Sequence, residues 1–127
     1  MGVDRSPAML RQARRAIRPG AGQVDLVRAD LRFLPFPAGS FDSATLTFPT
    51  PIIREAALWT ELSRVVRGGG RVVVVLGTRS PQWKSVERRP LADYLPTGAF
   101  AFEKVDVDVD GSLVNLIVAT VKPDLAT

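Results

Sequence analysis

Hydrophobic positions along this chain alternate between helical and strand-like spacing, a pattern typical of an α/β protein. Apolar residues at helical spacing follow Ser6-Pro7, where Ser would cap the helix and Pro would take its first position. Pro19-Gly20 would end this helix. A second helix is predicted after Thr50-Pro51, and Gly68-Gly69-Gly70 would end it in a tight turn. Its buried stripe would comprise Leu58, Leu62, Val65 and Val66.

Six strand-like segments lie before, between and after these helices. They are residues 1–4, 24–29, 44–48, 72–76, 105–109 and 113–121. The segment 72–76 is apolar throughout, which is typical of a parallel strand buried on both faces. Asp110-Gly111 predicts a hairpin turn, and a short helix is predicted within residues 80–95. The order β-α-β-β-α-β-α-β-β predicts one domain over residues 1–127, with a mostly parallel sheet that closes in an antiparallel hairpin.

Composition removes several kinds of chemistry. The 127 residues include no cysteine and no histidine, which excludes disulfides, Cys nucleophiles and His general bases. No apolar run reaches membrane-spanning length and no apolar leader begins the chain, so a cytoplasmic protein without membrane contact is expected. The net charge of +4 permits contact with polyanions, and a solvated basic surface explains it as well.

Three segments carry a resemblance to a known family. They read GVDRSPAML at residues 2–10, ADLRFLPF at 29–36 followed by SFD at 40–42, and ELSRVVRGGGRVVV at 61–74. In this order they resemble class I S-adenosylmethionine-dependent methyltransferases, especially the small-molecule type of quinone biosynthesis. The resemblance implies a Rossmann-like α/β fold and S-adenosylmethionine as the cofactor.

Five cofactor-binding residues follow from the resemblance. They are Asp4, Arg5, Met9, Asp30 and Leu31. Asp4 would accept hydrogen bonds from the ribose hydroxyls, because a carboxylate suits a neutral diol and repels a phosphate. Met9 would pack near the adenine. Asp30 would accept from the adenine amino group, and the backbone amide of Leu31 would donate to the ring.

The acceptor side of the predicted site is assigned more coarsely. Phe48 and Thr50 follow a strand at the carboxyl edge of the sheet, which makes them candidates for binding a small-molecule methyl acceptor. Methyl transfer from a sulfonium depends largely on proximity and alignment, so it does not require His or Cys. No catalytic base is assigned. Structural interpretations remain open too: Asp4 as a capping residue, Asp30 as a turn residue and Met9 as core.

The sequence differs from the family pattern at its beginning. No strand with a glycine-rich turn precedes Gly2-Val3-Asp4, so we expect an N-terminally truncated fold that lacks its first strand and first helix. That strand would lie at the centre of the sheet. Three explanations remain open: a miscalled start, direct pairing of the flanking strands, or a homodimer in which a second chain fills the gap.

Other functions are also compatible with parts of the pattern. A non-catalytic methyltransferase-like assembly module would not need the glycine-rich turn. Nucleic-acid binding through the basic helical segment 11–18 is disfavoured, because no aromatic residues are interleaved with its arginines. A nicotinamide-binding fold would also place an acid at the position of Asp4, but ADLRFLPF fits the methyltransferase pattern more closely.

Overall fold

A computed structural model describes residues 1–20, 22–47, 52–79 and 98–123. The chain divides into two compact units, Met1–Pro35 and Phe36–Thr127. The helix predicted within residues 80–95 lies outside the described residues, as do Phe48 and Thr50.

The first unit is a small parallel α/β element. Strand β1 (Gly2–Asp4) pairs in parallel with strand β2 (Leu26–Arg28), and helix α1 (Pro7–Ala16) connects them. The predicted cap is confirmed, since the Ser6 hydroxyl accepts the Met9 N–H at 3.3 Å. The helix ends at Ala16, before the predicted Pro19-Gly20, and β2 is shorter than the predicted strand.

The second unit is built on a four-stranded mixed sheet. Its elements are β3 (Phe41–Thr47), a 3-10 turn (Ile52–Arg54), α2 (Ala56–Val65), β4 (Val66–Arg79), β5 (Phe100–Val109) and β6 (Ser112–Val121). The strand order is β3-β4-β6-β5; β3 and β4 run parallel, and β6 runs antiparallel to both its neighbours. The predicted hairpin turn is confirmed, with positive φ at both Asp110 and Gly111.

The core of this second unit lies on one face of the sheet, under α2. All four residues of the predicted α2 stripe are buried, and Trp59 joins them with no exposed surface. Its indole N–H donates to the Ile53 carbonyl at 2.8 Å, and its ring packs edge-to-face against Phe100 and Phe102. The apolar stripe and these ring contacts therefore fix α2 on the sheet.

The prediction that the segment 72–76 is buried on both faces is wrong for strand β4. Val72 and Val74 are fully buried, whereas Val73 and Val75, which alternate with them, are only half-buried. This alternation arises because α2 covers one face, while on the other face no described element of this unit covers the valines to the same degree.

The segment Gly68-Gly69-Gly70 does not end the second helix as predicted. Helix α2 ends at Val65, and the three glycines lie inside an irregular start of β4 rather than capping the helix. Phe41 pairs with Val66 but Ser43 pairs with Arg71, so residues 67–70 bulge out of the ladder. Gly69 has φ +80°, and at Gly70 an added Cβ would lie 2.6 Å from the Asp42 carbonyl oxygen.

The segment that leads into β3 is held by the end of α2. Arg64 donates to the Phe36 carbonyl at 2.6 Å, and its own carbonyl accepts the Gly39 N–H at 2.8 Å. The Arg64 guanidinium is oriented by two hydrogen bonds to Glu61. At the start of β3, Asp42 pairs with Arg67 at 3.0 Å.

Two glycines of β4 provide a test of this packing. Gly70→Ala should lower the free energy of unfolding by about 1–3 kcal/mol, because its methyl group would collide with backbone oxygens of Asp42 and Arg67. Gly77→Ala is the matched control, since no atom lies within 4 Å of its added Cβ, and it should stay within about 1 kcal/mol of the parent. Urea unfolding measures both; equal effects would contradict the described bulge.

Candidate functional site

The carboxyl ends of β1 and β2 lie side by side at one edge of the first unit. Asp4 stands opposite Arg28 in the parallel register, and the Ala29 N–H donates to the Asp4 carbonyl at 3.1 Å. Asp30 follows one residue later. Parallel pairing therefore brings the two predicted aspartates to the same edge, which is where open α/β sheets bind ligands.

Asp4 presents a carboxylate that is only partly used. One oxygen, Oδ1, accepts the Ser6 backbone N–H at 2.8 Å. Among the described residues no donor reaches the other oxygen, Oδ2. The Ser6 hydroxyl caps α1 at the same time, so this short loop orients the carboxylate and starts the helix together. A half-buried carboxylate with a free oxygen can accept the hydroxyls of a sugar.

Asp30 is held far more tightly. Its Oδ1 accepts the Arg32 backbone N–H at 2.9 Å and Arg32 Nε at 3.0 Å, while Oδ2 accepts Arg32 Nη2 at 2.8 Å. The Phe33 N–H donates to the Asp30 carbonyl at 2.9 Å and closes a turn over residues 30–33. The hydrogen bonds from the Arg32 side chain and backbone lower the pKa of Asp30 from 3.8 to about 2, and the charge of Arg5 acts in the same direction.

Leu31 lies at the centre of this turn with an available donor. Leu31 is half-buried, and its backbone N–H has no acceptor among the described residues. The neighbouring Asp30 keeps an acceptor position on Oδ2. One donor beside one acceptor is the pattern that complements an adenine edge, whose amino group donates and whose ring nitrogen accepts.

Met9 and Arg5 belong to the same loop and first helical turn. Met9 is 50% exposed, so the interpretation of Met9 as a core residue of this unit is wrong. Arg5 is exposed, and its carbonyl accepts Arg28 Nε at 3.1 Å. An exposed Met side chain near a strand-end carboxylate is available to a planar ligand, and this role for Met9 stays a prediction.

The sequence reasoning did not identify Arg32. The available signal was an Asp directly after a strand with Arg two residues later, because an Asp side chain readily accepts the amide of the second following residue. The same local bond joins Asp4 to Ser6, so the two strand ends share one design. The acceptor candidates Phe48 and Thr50 lie outside the described residues and stay predictions.

Known sequences that are similar to this chain are methyltransferases. The model of a family described as "Methyltransferase domain" matches residues 1–70. A ubiquinone/menaquinone biosynthesis C-methyltransferase from Geobacter sp. (strain M21) is 32% identical over 78 residues, which cover 59% of this chain and 33% of that protein. A demethylmenaquinone methyltransferase from Thermus thermophilus is 42% identical over 77 residues, covering 59% and 34%. The matched stretch thus spans about a third of the length of these relatives.

Solved structures show the same fold at lower identity. An S-adenosylmethionine-dependent methyltransferase from Methanosarcina mazei superposes with a TM-score of 0.64 at 16% identity, over 96% of this chain and 81% of that chain. A geranyl diphosphate methyltransferase in complex with S-adenosylmethionine superposes with a TM-score of 0.59 at 18% identity, over 94% and 67%. These likenesses confirm the predicted Rossmann-like α/β fold.

The Asp30–Arg32 pair should make the stability of the fold depend on pH. Because the pKa of Asp30 is lower in the folded chain than its ordinary 3.8, the pair should stabilise the fold above about pH 3.8 and lose this contribution as the pH falls toward about 2. In Arg32→Ala the pKa should return toward 3.8. Carboxyl resonances followed by NMR during an acid titration measure both values; an Asp30 pKa near 3.8 in the parent chain would contradict the described pairing.

Proposed function

The chain belongs to the methyltransferase domain family, and we propose that it takes part in S-adenosylmethionine-dependent transfer of a methyl group to a small molecule. The cofactor would supply a methyl group already activated on a sulfonium. The residues of this chain would bind and orient the cofactor, and alignment would provide much of the catalysis.

The observation that carries the proposal is the shared edge of β1 and β2. Its polar atoms fit the adenosine part of the cofactor: Asp4 Oδ2 for the ribose hydroxyls, Asp30 Oδ2 for the adenine amino group, and the Leu31 N–H for a ring nitrogen. The exposed Met9 side chain adds an apolar surface for the base. Arg5 lies beside this edge, where its carbonyl accepts Arg28 Nε. Donors and acceptors of these kinds support the binding of adenosine at this edge.

The proposed acceptor is a small molecule of the quinone type. Support comes from the printed names of the two relatives, which describe quinone-biosynthesis methyltransferases. We assign the acceptor side to Phe48 and Thr50, which follow β3. Because this proposal assigns neither residue to the cofactor, their replacement should leave the affinity for the cofactor unchanged.

We further propose that these residues alone are inactive. The loop from β1 to α1 contains Arg5-Ser6 and no glycine, and no described strand of the chain leads through a glycine-rich turn into a helix. The methionine end of the cofactor would need such a turn, because close backbone approach requires glycine. Methyl transfer would therefore depend on an additional element that supplies it.

S-adenosylhomocysteine binding tests the cofactor proposal. Asp4→Asn should weaken binding about tenfold or more, because the amide oxygen can still accept the Ser6 N–H but the charge that attracts the ribose hydroxyls is gone. Asp25→Asn is the matched control: Asp25 is an exposed aspartate at the opposite end of β2 and should leave the affinity unchanged. Isothermal titration calorimetry measures both.

The alternative function predicts a different outcome of that titration. A non-catalytic assembly module would give no heat with S-adenosylhomocysteine from a folded sample, and neither aspartate variant would change that. Binding that Asp4→Asn leaves intact would place the cofactor elsewhere and contradict the proposed site.

Open strand edges support a homodimer. Among the described residues, no strand pairs with the second edge of β3, which is seven residues long, or with that of β1. Such edges expose unpaired backbone groups that favour pairing with another strand. A second copy of this chain could complete the ladder of β3, although it would not bring the glycine-rich turn.

Light scattering tests the homodimer directly. The expected mass is twice the 13.8 kDa of one chain, and it should hold on dilution into the low micromolar range, because strand pairing buries backbone polar groups cooperatively. A mass of one chain across that range would remove the homodimer.

A further inference from the structure

The carboxylate of Asp30 is almost saturated by a single neighbouring residue. Arg32 provides three donors: its backbone N–H and Nε to Oδ1, and Nη2 to Oδ2. A carboxylate offers roughly four acceptor positions, two on each oxygen. The arrangement therefore leaves one position, and it lies on Oδ2.

We propose that Arg32 is a positioning residue that fixes Asp30 so that the remaining Oδ2 position selects a ligand with a donor group, namely the amino group of adenine. This inference rests on the proposed function, because it concerns the same cofactor edge. Arg32 acts here through Asp30 and needs no contact with the ligand itself.

The physical need for such a residue follows from the exposure of Asp30. Its side chain is 25% exposed, and without the guanidinium only the backbone N–H of residue 32 would hold it, through Oδ1, so that Oδ2 would be loosely placed. A loosely placed Oδ2 still attracts donors but loses the geometry that rejects an acceptor. The planar guanidinium suits this task, since it holds both oxygens at once where an ammonium would hold one.

The ionised carboxylate of Asp30 is an obligate acceptor, whereas a protonated carboxyl could donate as well as accept. Hydrogen bonds from Arg32 and the charge of Arg5 lower the pKa of Asp30, so the group stays ionised even in acidic solution. A ligand with a carbonyl oxygen in place of the amino group would then face a negative oxygen. It would also present a ring N–H to the Leu31 N–H, so hypoxanthine is mismatched at both atoms.

The test compares S-adenosylhomocysteine with S-inosylhomocysteine, which differ in that amino group. We expect the parent chain to bind the adenine compound about tenfold or more tightly than the inosine compound. Arg32→Ala should reduce this ratio to about threefold or less, and Arg32→Lys should give an intermediate ratio because it keeps the charge without the fork. Arg11→Ala, an exposed arginine on α1, should keep the parent ratio.

The ratio separates positioning from a merely structural role. A loss of folding stability would weaken both compounds together and leave their ratio unchanged, and circular dichroism checks that the variants are folded. An unchanged ratio in Arg32→Ala, with binding intact in the parent, would overturn this inference and leave the proposed function standing. Failure of the parent chain to bind S-adenosylhomocysteine would overturn both.

Discussion

The parallel pairing of β1 with β2 is the constraint on which the candidate site depends. Only parallel strands bring two carboxyl ends to the same edge, and here the pairing of Asp4 with Arg28 brings Asp30 to the same edge, two residues beyond the level of Asp4. Helix α1 makes this pairing possible, because parallel neighbours require a crossover. Its cap at Ser6 fixes where that crossover leaves the strand.

Asp4 and Asp30 make the same local hydrogen bond but differ in their other partners. Each accepts the backbone N–H two residues ahead, at 2.8 Å for Asp4 and 2.9 Å for Asp30. Asp4 keeps one carboxylate oxygen free, whereas hydrogen bonds from Arg32 occupy most acceptor positions of the Asp30 carboxylate. The same residue type thus offers a broad acceptor suited to a diol at one strand end and a narrow one suited to a single amino group at the next.

Much of this could be read from the sequence where the determinants are local. The Ser6 cap, the Asp110-Gly111 turn and the α2 stripe each depend on residues a few positions apart, and all three were confirmed. The bulge at residues 67–70 could not be predicted, because it depends on the register between β3 and β4. The half-buried face of β4 depends in the same way on which elements cover the sheet.

The sequence could predict only those residues of the candidate site that match the family's motifs. That resemblance pointed to Asp4, Asp30 and Leu31, and the fold brings these residues to one edge. It gave no reason to consider Arg32, because the resemblance assigns roles only to residues that contact the ligand. The Arg32 fork becomes visible only when the turn at residues 30–33 is folded.

The most direct measurement is a titration of isotopically labelled chain with S-adenosylhomocysteine, followed by amide resonances in two-dimensional NMR. We expect the Leu31 amide to shift most, because its N–H would change from an unpaired donor to a ligand-bound one. Smaller shifts are expected at the other amides of residues 4–6, 8–9 and 29–33. Shifts confined to other parts of the chain, or none at a ligand concentration of several millimolar, would contradict it.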